Sequence, residues 1–184
     1  MSLRPAVFFD RDGVINVSPG AGYVRSVAEF FLNPGITEVL AWCKTHGYYT
    51  VLVTSQQGVG KGLMSQEDLD AIHGHLQKVL GEKHAAFDTI QVCPHLAGTC
   101  ACRKPSPQMI FAATIALPMD LTASALVGDH DRDIQMARNA GIGYAIRLAT
   151  DNEICEQGDV LVYSIPEVLE CLKEWHYSKN QRHF

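Results

Sequence analysis

An uncharged apolar run, Ala6-Val7-Phe8-Phe9, breaks directly into Asp10-Arg11-Asp12-Gly13, and no other junction restricts the fold so much. A run of strand formers with no polar face reads as a strand covered on both sides, the condition of a parallel sheet flanked by helices. Such sheets bind ligands beyond the carboxyl ends of their strands. Asp10 and Asp12 therefore stand where chemistry is expected. Residues two apart on extended backbone point the same way, so the two carboxylates can share a cleft. At close range they repel unless a cation lies between them or one carries a proton. An Asp-x-Asp-Gly string also makes an ordinary turn; the other strand ends decide between the readings.

The pattern repeats down the chain. Residues 49–53 form a second buried strand ending in Thr54-Ser55-Gln56-Gln57-Gly58-Val59-Gly60, where hydroxyls, amides and open backbone N–H groups suit a phosphate oxygen. Residues 87–92 are a third strand. Residues 125–128 are a fourth, ending in Asp129-His130-Asp131-Arg132-Asp133. Residues 144–148 and 160–163 complete the set.

Between them, apolar residues recur at helical spacing. They mark helices opened by Pro34 and stopped at Gly47, capped by Ser65, running over 106–117 and 134–140, and starting at Ser164. His73 and His75, beside the stripe of the second helix, read as solvated. Residues 17–25 read as a flap over the carboxylates, and 176–184 as a loose polar tail. Strands alternating with helices, in 184 residues of which 47% are hydrophobic, predict α/β architecture. The expected form is a single doubly wound parallel sheet in one domain over 1–184, with its core over 6–175 and no separate cap domain.

Charge and cysteines narrow the partners. A net charge of −5 without a basic block argues against nucleic acid. No apolar run reaches membrane-span length, and the N-terminus carries no signal pattern. A soluble, cytoplasmic monomer acting on a small molecule is the expectation. Of six cysteines, Cys43, Cys155 and Cys171 are scattered, but Cys93, Cys100 and Cys102 crowd one loop with His95. Three thiols and an imidazole at this spacing suit a closed tetrahedral zinc site of structural type. A disulfide or redox role is the rival. Pinning residues 93–102 with a metal would also fix where Arg103 and Lys104 point.

Asp10-x-Asp12, Thr54, Lys104 and Gly128-Asp129 together resemble the four motifs of the haloacid-dehalogenase superfamily of aspartate-nucleophile phosphatases, over about residues 6–150. Asp-Arg-Asp-Gly-Val-Ile-Asn and Cys-Pro-His…Cys-x-Cys-Arg-Lys-Pro resemble its zinc-loop subfamily, which includes heptose-bisphosphate and histidinol-phosphate phosphatases. The resemblance implies a phosphomonoester hydrolase of carbohydrate or related metabolism. Asp10 would be the nucleophile, Asp12 the general acid and base, and Thr54 and Lys104 would hold the phosphoryl group. Mg²⁺ would be held by Asp10, the Asp12 carbonyl and Asp129, with Asp133 behind them and Zn²⁺ in the loop. Arg11, Tyr23, Ser55, Gln56, Gln57, Arg103 and His130 are the expected substrate contacts. Ser55 stands where Asn is usual, His130 where some relatives carry Lys, and Ser18-Pro19-Gly20-Ala21 enlarges the flap. Ile15-Asn16 and Gly22-Tyr23-Val24 resemble the heptose-bisphosphate members, so a heptose bisphosphate or related sugar phosphate is the expected substrate and histidinol phosphate the alternative. A non-catalytic module that only binds a phosphorylated metabolite is the alternative outside enzymes.

Overall fold

The computed structural model describes residues 3–181. Six strands form one all-parallel sheet: β1 (Arg4–Phe9), β2 (Tyr49–Ser55), β3 (Thr89–Cys93), β4 (Met119–Gly128), β5 (Tyr144–Leu148) and β6 (Val160–Val162). Their spatial order is β3-β2-β1-β4-β5-β6. The first strand is therefore central, between β2 and β4, and the winding reverses beside it. That reversal opens a crevice past the strand ends, and Asp10 stands at its edge with its N–H donating to Val127 O at 3.0 Å.

The helices α1 (Ile36–Thr45), α2 (Gln57–Gly60), α3 (Gln66–Gly81), α4 (Gln108–Ala116), α5 (Asp131–Ala140) and α6 (Ile165–Gln181) cover the sheet. Alternate residues of β1 serve the two faces. Val7 and Phe9 pack with Val39, Leu40, Leu69, Ile72, Leu76, Val168 and Leu172 of α1, α3 and α6. Ala6 and Phe8 pack with Met109, Ile110, Ile134 and Ala137 of α4 and α5. Phe8 and Phe9 are wholly buried, each contributing about 2–3 kcal/mol of apolar transfer. From Ala6 to Phe9 the strand has no exposed face and no place for a charge, so the acids begin at Asp10.

Several boundaries depart from the sequence reading. β4 is ten residues long, beginning at Met119 rather than near 125, because Arg4 and Pro5 pair with Met119 and Asp120 before the register shifts. Pro34 does not open α1; Gly35, at φ 88°, is the cap. α5 starts at Asp131, three residues early, with the Asp133 carboxylate accepting from the His130 N–H at 3.1 Å. The expected loose tail from 176 is instead the last turns of α6, where His176 and Lys179 pack on Trp42, Tyr48 and Trp175. Its last residues, 182–184, lie outside the described residues.

His73 also departs from expectation. It is buried on the same face of α3 as Leu69 and Leu76, while His75 is half-buried with its ring edge-on to Phe30.

Candidate active site

The ends of β1, β2, β4 and β5 meet at a cleft of about 380 Å³. Asp10, Asp12, Thr54, Ser55, Gln57, Arg103, Lys104, Asp129 and His130 line it. The 17–25 loop supplies one wall through Ser18 to Tyr23. Lys104, at the end of the cysteine-rich loop, is the pivot. Its Nζ lies 2.7 Å from Asp10 Oδ1 and 2.8 Å from Asp133 Oδ1. Asp133 is completely buried below the cleft, where it supports Lys104 and the start of α5 together. Gly128 has no room for a side chain because Asp133 fills that space, and Gly13, at φ 86°, lets the chain after β1 run against the Asp129 carboxylate.

Asp10, Asp129 and Asp133 each offer an oxygen within 4.8 Å of the others. A single ammonium cannot balance three carboxylates. Burial, reinforced by the Asp133 charge, pushes Asp10 up to about 7 and Asp129 up to about 6. Burial also works to lower Lys104, but its ion pairs with Asp10 and Asp133 prevail and hold it above its ordinary value. An excess of oxygen donors that resist ionising together is the donor set of a hard divalent cation such as Mg²⁺. The residues present fit that ion.

Two expected substrate contacts lie elsewhere. Arg11 and Gln56 have no exposed surface and do not line the cleft. They turn inward because Asp12 and Thr54 offer them acceptors there, so direct substrate contact is ruled out for both. Asp133 is also beneath the cleft, as expected of a supporting group.

Other residues escaped the sequence reading. Arg132, Thr150, Asp151 and Asn152 line the cleft. Thr150 Oγ1 and Asn152 Nδ2 donate to Asp129 Oδ2 at 3.2 and 2.9 Å. Their only signal was position: they follow β5 as Asp129 follows β4.

The cysteine-rich loop follows β3. Cys93 Sγ lies 3.5 Å from Cys100 Sγ and 3.8 Å from His95 Nδ1. Cys102 Sγ lies 3.4 Å from Cys100 Sγ and 3.3 Å from His95 Nδ1. A tetrahedron with zinc–sulfur bonds of about 2.3 Å has edges of about 3.8 Å, so these separations fit one Zn²⁺. They are too long for a disulfide, and the six cysteines are free thiols. Burial and the neighbouring sulfurs of Cys93 and Cys100 push the Cys102 thiol up to about 12, a conflict that a soft cation would relieve. The loop is docked by Gly60 N–H on Pro94 O at 3.0 Å and Gln56 N–H on Cys93 O at 2.8 Å. It thus delivers Arg103 and Lys104 to the cleft.

A central parallel sheet with a carboxylate after β1, a hydroxyl at the end of β2, a buried lysine and an acid after β4 is the arrangement of a phosphoryl-transfer hydrolase of the haloacid-dehalogenase type. A profile of the HAD-hydrolase-like family matches residues 101–150. The D-glycero-beta-D-manno-heptose-1,7-bisphosphate 7-phosphatase of Vibrio cholerae is 38% identical over 166 residues, 86% of this chain and 88% of that protein. The D-glycero-alpha-D-manno-heptose-1,7-bisphosphate 7-phosphatase of Mycobacterium bovis is 41% identical over 135 residues, 72% of this chain and 71% of that one. A crystal structure of D,D-heptose 1,7-bisphosphate phosphatase from B. bronchiseptica, complexed with magnesium and phosphate, superposes with a TM-score of 0.83. It is 31% identical and covers 92% of this chain and 98% of its own. The chain belongs to the haloacid-dehalogenase-like hydrolases, in the group whose members carry the heptose-bisphosphate phosphatase name.

Proposed function

We propose that this protein is a Mg²⁺-dependent phosphomonoesterase that removes one phosphate from D-glycero-D-manno-heptose 1,7-bisphosphate or a closely similar sugar bisphosphate. The observation that carries the reading is the Lys104 ammonium held between Asp10 and Asp133 on a cleft shared with Asp12, Thr54 and Asp129. Phosphoryl transfer is mainly positioning and charge stabilisation, and these groups supply both.

An Asp10 oxygen forms a bond to phosphorus as the bond from phosphorus to the sugar oxygen breaks. Asp12 gives its proton to that leaving oxygen. Water then attacks the phosphorus of the acyl phosphate, Asp12 takes the water's proton, and Asp10 and inorganic phosphate are released. Lys104 and Thr54 hold the phosphoryl oxygens throughout. Bound Mg²⁺, on Asp10, Asp129 and the Asp12 carbonyl, would neutralise charge developing on those oxygens. Zn²⁺ on Cys93, His95, Cys100 and Cys102 would be structural, since four protein ligands leave no open position.

An uncapped cleft bordered by Arg103, His130 and Arg132 suits a compact substrate with a second anionic group. No helix among the described residues is long and apolar enough to cross a membrane. The test is phosphate release from a panel of sugar phosphates and histidinol phosphate with Mg²⁺. We expect kcat/KM for the heptose bisphosphate to exceed that for histidinol phosphate by about 100-fold or more. Comparable values would remove the sugar assignment, and failure to hydrolyse any phosphomonoester would remove the enzyme.

A further inference from the structure

Asp12 is tied down more thoroughly than its position on an open cleft requires. Arg11 donates from Nε to Oδ1 at 3.2 Å and from Nη2 to Oδ1 and Oδ2 at 3.1 Å. Asn16 Nδ2 donates to Oδ1 at 3.0 Å, and Gln56 Nε2 to Oδ2 at 2.9 Å. Gln56 then links outward and inward. Its Nε2 also donates to Thr54 Oγ1 at 2.8 Å, and its Oε1 accepts from Arg11 Nη2 at 2.9 Å. Beyond Arg11 stands His73 of α3, with Nε2 3.3 Å from Arg11 Nη1. Arg11, Asn16 and Gln56 have no exposed surface, and His73 keeps 8%.

A buried guanidinium is costly unless acceptors meet its N–H groups. Asp12 and Gln56 meet those on Nε and Nη2, and His73 is the acceptor for Nη1. That requires a lone pair on Nε2. Burial, then the Arg11 charge, lowers His73 to about 4, so the ring is neutral and can accept. A leucine would fill this place on α3 more cheaply if packing were its only task, since its neighbours on that face are Leu69, Ile72 and Leu76. The imidazole instead points at Arg11, the cation that grips Asp12.

We propose that His73, Arg11 and Gln56 are positioning residues that fix the Asp12 carboxyl for proton transfer to the leaving oxygen and register it against Thr54. The proposal rests on the phosphatase reading above. The step it governs is departure of the sugar: the bond from Asp10 to phosphorus forms, the phosphorus–oxygen bond breaks, and the proton of Asp12 moves to that oxygen. A sugar alkoxide is strongly basic and needs the proton. A dinitrophenolate is weakly basic and leaves without it. Loss of Asp12 positioning must therefore depend on the leaving group, whereas general loosening of the fold must not.

The experiment measures kcat/KM, which reports steps up to leaving-group departure, for the sugar bisphosphate and for 2,4-dinitrophenyl phosphate. His73→Leu should lower the first about 30-fold and the second less than about 3-fold, with the inhibition constant of inorganic phosphate unchanged within about 2-fold. His73→Gln, whose amide oxygen can accept the same Arg11 hydrogen, should recover most of the loss. Gln56→Met should show the same split and takes the place of His73→Leu if that variant does not fold. Equal losses on both esters, or none on either, would overturn the positioning role. A wild-type protein that hydrolyses neither ester would overturn the phosphatase reading instead.

Discussion

Two clusters in this molecule bring together donors that could hold a cation, and they are assembled in opposite ways. The thiol loop gathers Cys93, His95, Cys100 and Cys102 from ten consecutive residues. The carboxylate cleft gathers Asp10, Asp129 and Asp133 from two segments far apart along the chain, joined by Lys104. In the loop, local backbone geometry brings the donors together and the rest of the fold only docks it. In the cleft, nothing local relates Asp10 to Asp129; β1 and β4 pair, and their ends then lie side by side. A local site can lose its ion and deform alone, whereas a site made by the sheet keeps its shape and its repulsion. The two meet at Arg103 and Lys104, where the end of the loop becomes a wall of the cleft.

Four perturbations would break or sharpen this contrast. Asp10→Asn should have the largest effect, lowering turnover by at least about 10⁴-fold because the proposed nucleophile is gone. Its melting temperature without metal should be no lower than that of the wild type, since one of three crowded carboxylates has been neutralised. A clear fall would mean that Asp10 is needed for the fold. Lys104→Met should lower kcat/KM about 10³-fold and should also lower stability, leaving Asp10 and Asp133 buried without a counter-charge. Steady-state kinetics and thermal melting check both expectations.

Chelation should act on the other cluster. Elemental analysis is expected to find about one Zn²⁺ per chain. Its removal should speed hydrogen exchange over 93–104 before the sheet and cut activity about 10-fold through misplacement of Lys104. Simultaneous exchange of loop and sheet would deny that the loop is a separate unit.

The smallest effect concerns the groups behind the cleft. His73 has its folded value lowered from 6.5 to about 4, so the unfolded chain takes up the proton first as pH falls. The stability it contributes is complete above about 6.5 and is lost between there and about 4, amounting to about 3 kcal/mol at most. His73→Gln should flatten that portion of a stability-versus-pH curve measured by denaturant unfolding. An unchanged slope would mean that His73 titrates freely.

Much of this was legible in the chain itself. Short runs without charge that are rich in strand formers, such as Ala6–Phe9, read as strands covered on both faces, and strands alternating with helices admit few arrangements other than a wound parallel sheet. The acids of the cleft then had to follow strand ends, because the covered middle of a doubly buried strand offers a carboxylate no solvent. The thiol loop was legible for another reason: its ligands are neighbours in sequence, so spacing is already geometry.

Direction was what the sequence could not supply. Arg11 and Gln56 sit among cleft residues along the chain yet turn inward, because besides their near neighbours Asp12 and Thr54 they meet remote partners: Arg11 meets Gln56 and His73, 45 and 62 residues away, and Gln56 meets Asp12, 44 residues away. Helical spacing already puts His73 on the apolar face, between Leu69 and Leu76; its polar ring is what reads as solvated, and only the fold sets a buried cation, Arg11, against it. Thr150 and Asn152 look like ordinary loop residues until β5 is laid beside β4. Composition and pattern thus determined which elements form and where their polar ends fall. Which way each polar side chain turns was decided by the fold, because a buried donor goes to whichever acceptor the neighbouring strand or helix presents, and that neighbour is remote in sequence.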